Sequence, residues 1–126
     1  EIKNKEIYER VKRIIKKYKP VKIFITSSYD PHPAHRAVHE IVIKVLEDLN
    51  YKSELYAYEV WNIVNENKPV IYNDISDYFK AKIAMMKSFK TQWLFMYLLL
   101  IPVYLRARFY GIKNNFKYAE KLYKIK

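Results

Sequence analysis

Residues 5–49 fix most of what this chain can become, because the periodicities of helix, strand and helix follow one another there with a proline at each junction. In "KEIYERVKRIIKKYK" (5–19), Ile7, Val11, Ile14, Ile15 and Tyr18 recur at three- and four-residue spacing, which predicts an amphipathic helix. Pro20 ends it. "VKIFIT" (21–26) is short, β-branched and apolar, as a buried strand is. Residues 27–32 read as a loop. Pro33 suits the first position of a helix, where its missing N–H costs no bond, and Val38, Ile41, Val42, Val45 and Leu49 form the next apolar stripe. This order belongs to an α/β, Rossmann-like, doubly wound fold with a mostly parallel sheet and flanking helices, in which ligands sit beyond the carboxyl ends of the strands. The loop 27–32 lies at that edge.

Further along, "ELYAYEV" (54–60) predicts a second strand and "PVIYNDI" (69–75) a third. Asp74 or Ser76 is expected to cap a helix over 77–90, with Tyr78, Ile83 and Met86 among its apolar positions. A helix over 91–108 is expected to bend or break near Pro102, and a short helix is expected over 116–124. The apolar run "WLFMYLLLIPVYL" (93–105) is shorter than the roughly 20 residues of a spanning helix. It reads as buried core or a subunit contact, so a homo-oligomer and no membrane span are expected.

At 126 residues the chain is about one domain long. Its single glycine, Gly111, excludes the glycine-rich loops that cradle phosphates. The absence of cysteine removes thiolate zinc sites and Cys nucleophiles, and suits a reducing, cytoplasmic setting. The net charge of +11 is uneven: residues 1–63 carry 12 basic and 9 acidic groups, residues 64–126 carry 12 and 4. With 13 tyrosines, such a balance raises a nucleic-acid reading. Lysines scattered over helical faces explain it more simply as solvated surface.

All three histidines fall within eight positions of "SYDPHPAHRAVHEIV" (28–42). His32 precedes Pro33 and must be extended. His35 shares a helical side with Val38, His39 and Val42, which turns it inward at the first turn of the helix. Two imidazoles therefore approach one crevice, from a loop and from a helix start. An alternative pairs His35 with His39, whose i, i+4 spacing can chelate a metal, but no third ligand has motif spacing. Spacing alone leaves a metal site and an acid/base site both open.

"IIKKYKPVKIFITSSYDPHPAHRAVHEIV" (14–42) resembles the second signature of the LmbE-like, or PIG-L, zinc-dependent N-deacetylases: a helix ending in a basic residue and proline, an apolar strand, then D-x-H-P-D-H-R. "LYAYEVW" (55–61) is similar to the family's Y-E-x-W strand and "NDISDYFKAKIAMMKSFKTQ" (73–92) to its D-I-S helix. "RARFYGIKNNFKYAEKLY" (106–123) is similar to its closing element. The resemblance implies an amide hydrolase that removes the N-acetyl group from an N-acetylglucosamine-containing sugar with zinc as cofactor. It implies that His35 is a zinc ligand and that His32 stabilises the oxyanion or protonates the leaving amine. It further implies that residues 1–126 are the C-terminal portion of a single deacetylase domain, with two more zinc ligands and the general base on an A-H-P-D-D-E signature upstream. Ala34 stands where the family has an Asp that steadies the neighbouring imidazole, and Asp30 is the nearby candidate to replace it. Tyr58 and Trp61 are candidate walls of a sugar pocket and Arg36 a candidate anion contact. A non-catalytic sugar-binding or assembly module of the same fold is the rival that Ala34 favours.

Overall fold

A computed structural model describes residues 2–88 and 93–126, with side chains described over 5–88 and 98–126. In chain order it contains α1 (Ile2–Tyr18), β1 (Lys22–Thr26), α2 (Pro33–Asp48), β2 (Glu54–Tyr58), β3 (Val70–Asp74), α3 (Phe79–Lys87), α4 (Trp93–Lys113) and β4 (Ala119–Lys124). The strands form one four-stranded sheet in the order β1-β2-β4-β3. Strands β1 and β2 are parallel, in register from Lys22 opposite Glu54 to Thr26 opposite Tyr58. Parallel neighbours need a crossover, and α2 supplies it. The α/β, Rossmann-like class expected from residues 5–49 is the one observed. Two compact units divide the chain: Glu1–Val70 with Tyr123–Lys126, and Ile71–Leu122.

In the first unit the core is Ile15, Ile25, Val42, Val45, Leu46 and Leu55, with Tyr8, Val11, Ile41 and Leu49 against it. Tyr8, Val11 and Ile15 are one helical row, and that row faces the core. Ile14, expected on the same stripe, lies to one side of that row and is exposed; Tyr18 continues the row but is the last residue of α1 and is exposed too, as is Val38 on α2. The second edge of β2 is met by residues 125 and 126: Leu55 N donates to the carbonyl of Lys126 at 3.0 Å, and Ile125 N donates back to the carbonyl of Leu55 at 2.8 Å.

In the second unit Ile75, Phe79 and Ala107 are buried together, with Ile83 and Tyr118 beside them. Helix α3 is shorter than expected, and neither Asp74 nor Ser76 caps it; the cap position is Tyr78, without a side-chain bond. Asp74 Oδ1 instead accepts from Ser76 N at 2.9 Å and Ser76 Oγ at 2.5 Å, a local turn whose hydrogen bonds hold the Asp74 carboxyl below its usual range. The expected helix boundary between 89 and 92 lies outside the described residues.

Helix α4, 21 residues in all, continues through Pro102 instead of breaking there. Proline removes the bond to the carbonyl four residues back, that of Leu98. Leu98 and Pro102 are both on the exposed side of the helix, where water replaces the lost donor. Of the run read as buried core or subunit contact, Leu100 and Val103 are buried, whereas Leu98, Ile101 and Leu105 are exposed. Among the described residues no helix is long and apolar enough to cross a membrane.

The expected final helix over 116–124 is wrong: Ala119–Lys124 is the strand β4. Asn115, at φ 61°, turns the chain left-handed after α4, and Phe116 N reaches back to the carbonyl of Gly111 at 2.8 Å, closing the helix as a Schellman-type cap. So short a helix would have been marginal, while a strand here finds main-chain partners: Ile75 N donates to the carbonyl of Tyr118 at 3.0 Å.

This cap explains the single glycine. A Cβ on Gly111 would lie 2.8 Å from the carbonyl oxygen of Lys117 and 2.9 Å from that of Phe116, both fixed main-chain atoms. Gly111→Ala is expected to lower stability by about 1–3 kcal/mol, the usual cost of overpacking. Urea unfolding checks this; an unchanged midpoint would mean that the cap shifts freely.

Candidate functional site

The parallel register makes Thr26 and Tyr58 neighbours on the last rung of the β1–β2 ladder, so the loop 27–32 leaves the sheet at its carboxyl edge. Buried polar contacts fix how that loop departs. Thr26 Oγ1 donates to the carbonyl of His35 at 2.7 Å, and His39 Nδ1 lies 2.7 Å from the carbonyl of Thr26. A carbonyl only accepts, so His39 carries its proton on Nδ1. His39 is buried, and it ties the second turn of α2 to the end of β1. The reading of His39 as half of a chelating pair therefore meets a ring with one nitrogen already committed to the main chain.

Glu66 is the second fixture. Its carboxylate is buried; Oε1 accepts from Ser27 Oγ and from Ser28 N at 2.7 Å, and Oε2 accepts from Ser28 Oγ at 2.9 Å. Among the described residues, three donors from two adjacent residues compensate the charge. The only sign of Glu66 in the sequence is that it is one of four acids in the basic half of the chain.

The loop so held brings Asp30, His32 and His35 together. Asp30 is 2% exposed, and its Oδ1 accepts from His32 N at 2.8 Å. The same oxygen is 3.0 Å from His35 Nδ1, within ion-pair distance but not aligned as a hydrogen bond. The His35 side chain is 31% exposed although Nδ1 is buried, so its outward side is the one carrying Nε2. His32 is extended, at φ −80° and ψ 120°, and is the N-cap of α2: its Nδ1 accepts from Ala34 N at 3.3 Å. A ring whose Nδ1 accepts carries its proton, when neutral, on Nε2. The two rings lie with centroids 4.8 Å apart at 32°. The carboxylate of Asp30 thus stands against the His35 ring and touches His32 through its main chain. What steadies the His32 ring is the amide of Ala34, the residue that replaces the family's Asp.

Arg36 is turned to the loop: Nη1 donates to the carbonyls of Asp30 at 2.7 Å and Pro31 at 2.9 Å. Tyr58 is half-buried, and burial first, then the nearby charge of Asp30, pushes its phenol up from the ordinary value. Trp61 is half-buried in the segment after β2. Glu59 is buried and accepts from Val64 N at 3.4 Å. The structure thus joins Asp30, His32, His35, Arg36 and Tyr58 at one edge. Among the described residues no group of three or more His, Cys, Asp or Glu side chains is placed to hold a metal ion.

No family model matches the sequence, and no curated protein matches it. Among solved structures, the chain is similar to the conserved protein TT1542 from Thermus thermophilus, with a TM-score of 0.77 and 15% identity over 96% of this chain and 58% of that one. It is also similar to a deacetylase of the teicoplanin biosynthesis pathway, solved in complex with teicoplanin, with a TM-score of 0.61 and 12% identity over 96% of this chain and 49% of that one. The likeness shows a shared fold. This chain spans about half the length of each.

Two outcomes follow from this geometry. Glu66→Ala strands the Ser27 and Ser28 donors in the interior and is expected to lower stability by about 2–3 kcal/mol, measurable by urea unfolding, with Glu66→Gln costing less; equal stability of Glu66→Ala and the parent would remove Glu66 as the fixture. The second concerns Tyr58. Above about pH 10 the unfolded chain releases a tyrosine proton that folded Tyr58 retains, so stability falls as pH rises through that window. Tyr58→Phe is expected to make that fall shallower in denaturant titrations from about pH 9 to about pH 11.

Proposed function

We propose that this chain is the C-terminal portion of a zinc-dependent N-deacetylase of the LmbE-like type, acting on an N-acetylglucosamine-containing sugar or glycoconjugate. The observation that carries the reading is the Asp30–His32–His35 cluster at the carboxyl edge of two parallel strands, where α/β folds bind ligands. The fold shared with a deacetylase supports it. So does the edge position of β1, a parallel strand with Phe24 exposed on it and Val21 exposed just before it. Parallel sheets are normally covered, and further polypeptide beside β1 would cover this one.

The fit to zinc is partial. His35 suits one ligand position, since a carboxylate at Nδ1 orients the ring and leaves Nε2 for a metal. A catalytic zinc needs about three protein ligands, which the described residues do not assemble. The reading therefore requires two more ligands from polypeptide beyond these residues. Zinc, once held, supplies Lewis-acid polarisation of an acyl carbonyl.

The chain's own groups have defined tasks. His32 presents Nε2–H, a donor for the oxygen of the acyl group as it becomes tetrahedral; it would give a proton to the departing amine nitrogen only as an imidazolium, with a second proton on Nδ1 in place of the Ala34 amide contact. The Ala34 amide keeps its Nδ1 unprotonated at the start. Asp30 holds His35, and Tyr58 walls the site beside Asp30. Arg36 steadies the loop from behind. Ala34, standing where the resembled family has an Asp beside the catalytic imidazole, favours one alternative, a sugar-binding module of the same fold without turnover.

The test is substitution in the full native protein that carries this chain. His35→Ala is expected to lose zinc on dialysis. His32→Ala is expected to keep zinc and lose about 10²–10⁴-fold in deacetylation rate, the usual worth of an acid/base group. The 126-residue chain alone is expected to hold zinc weakly. Metal lost from His32→Ala and kept in His35→Ala reverses the two roles. Sugar binding that is unaffected by salt, with no turnover in the parent protein, selects the binding-module reading.

A further inference from the structure

Helix α4 presents two apolar faces. One, with Leu100, Val103 and Ala107, is buried in its own unit. The other is made of Leu98, Ile101, Leu105, Phe109 and Ile112, each 53–68% exposed. At 3.6 residues per turn these five fall within an arc of about 80° and run for about 21 Å. A shallow apolar depression of ≈ 320 Å³ lies alongside, bordered by Ile83, Lys87, Ile101 and Leu105. Soluble surfaces rarely leave so continuous an apolar ridge open without a use for it.

What borders the ridge says what it meets. On the helical wheel Arg108 flanks it on one side, Lys113 and Arg106 on the other, and the helix Trp93–Lys113 contains no Asp or Glu. Lys113 Nζ is 4.5 Å from the centre of the Phe109 ring, its stem laid along the ridge with its charge at the rim. Arg108 is held at the other rim by a 2.8 Å bond from Nη1 to the carbonyl of Lys117. Residues 71–122 contain nine Lys and Arg against three Asp and Glu. Of those acids, Glu120 is paired with Lys82 and Asp74 is engaged by Ser76. Two copies joined along this ridge would bring basic margins together, Arg108 on one side and Arg106 and Lys113 on the other, with no carboxylate on the helix to pair them. An apolar stripe between two basic margins has the pattern of a helix lying in a lipid interface, apolar side chains among the acyl chains and cations at the phosphates.

We propose that this face of α4 seats the chain on an anionic membrane surface, the helix lying in the interface plane without crossing it. Leu98, Ile101, Leu105, Phe109 and Ile112 insert, and Arg108 and Lys113 meet lipid phosphate. The docking is reversible and weakens with salt, because part of its strength is screened charge.

The experiment sediments the full native protein that carries this chain with vesicles of phosphatidylcholine alone and with vesicles containing about one-third phosphatidylserine, an anionic composition. The protein is expected to sediment with the anionic vesicles, less so as salt rises, and to stay in solution with the neutral ones. Leu105→Glu and Ile101→Glu, both at exposed positions, are expected to keep the parent's melting behaviour and lose binding at least tenfold. Lys113→Gln, which removes one charge from the rim, is expected to weaken binding by about fivefold, the worth of one basic residue at such a surface. Undiminished sedimentation of Leu105→Glu overturns the proposal. So does equal binding to neutral vesicles, or absence of binding by the parent protein. A dimer by sedimentation equilibrium that Leu105→Glu dissociates, with no vesicle binding, assigns the ridge to a second copy instead.

Discussion

The last rung of the β1–β2 ladder, Thr26 opposite Tyr58, is the constraint on which the site depends. Because the strands are parallel and in register, their carboxyl ends finish together, and everything polar at that edge is arranged around Thr26. Its side chain takes the carbonyl of His35 and its carbonyl takes the ring of His39, so the first two turns of α2 are bonded to the strand from both directions. A one-residue slip would turn alternate side chains of β1 to the other face and undo both contacts. The direction in which His32 and His35 look is thus a property of strand pairing before it is a property of the loop.

The loop itself shows how neutral donors hold a buried charge. Glu66 stands in a basic half of the chain, yet its described partners are hydroxyls and an amide from Ser27 and Ser28. Asp30 is treated differently: it accepts from the amide of His32 and stands at ion-pair distance from the His35 ring. Both acids therefore act inward, as organisers of main chain. The imidazoles of His32 and His35 keep solvent-facing surface at this edge, beside exposed Tyr29 and Pro31.

Much of this was legible in the residues. The helix–strand–helix order of 5–49, with Pro20 and Pro33 as its punctuation, led directly to α1, β1 and α2, and the proline after His32 fixed the extended backbone there. What was hidden is what depends on distant partners. Residues 116–124 carry helix-compatible side chains, and only main chain supplied from elsewhere makes them a strand. Glu66 lies 38 residues from Ser28, and no local pattern joins them. Pro102 reads as a break because periodicity does not say which side of a helix faces water. The same blindness made a half-exposed ridge look like continuous core. Ile14 was misplaced by a smaller margin, since Tyr8, not Ile7, sets the row that packs; Tyr18 continues that row but stands at the last position of α1.

The bond between Leu55 and Lys126 bears on the order of events during synthesis. The cluster of Ile15, Ile25, Val42, Val45, Leu46 and Leu55 is encoded by residue 55, but the second buried cluster, Ala57, Val64 and Tyr123, and the segment that meets β2 on its second edge are completed only by residues 123–126. At ordinary elongation rates that interval is on the order of several seconds, far longer than helix or hairpin formation takes. Throughout it β2 has β1 on one side and open amides on the other. The nascent chain must therefore wait with an unpaired strand edge facing water or a chaperone, until the ribosome releases the residues that close it.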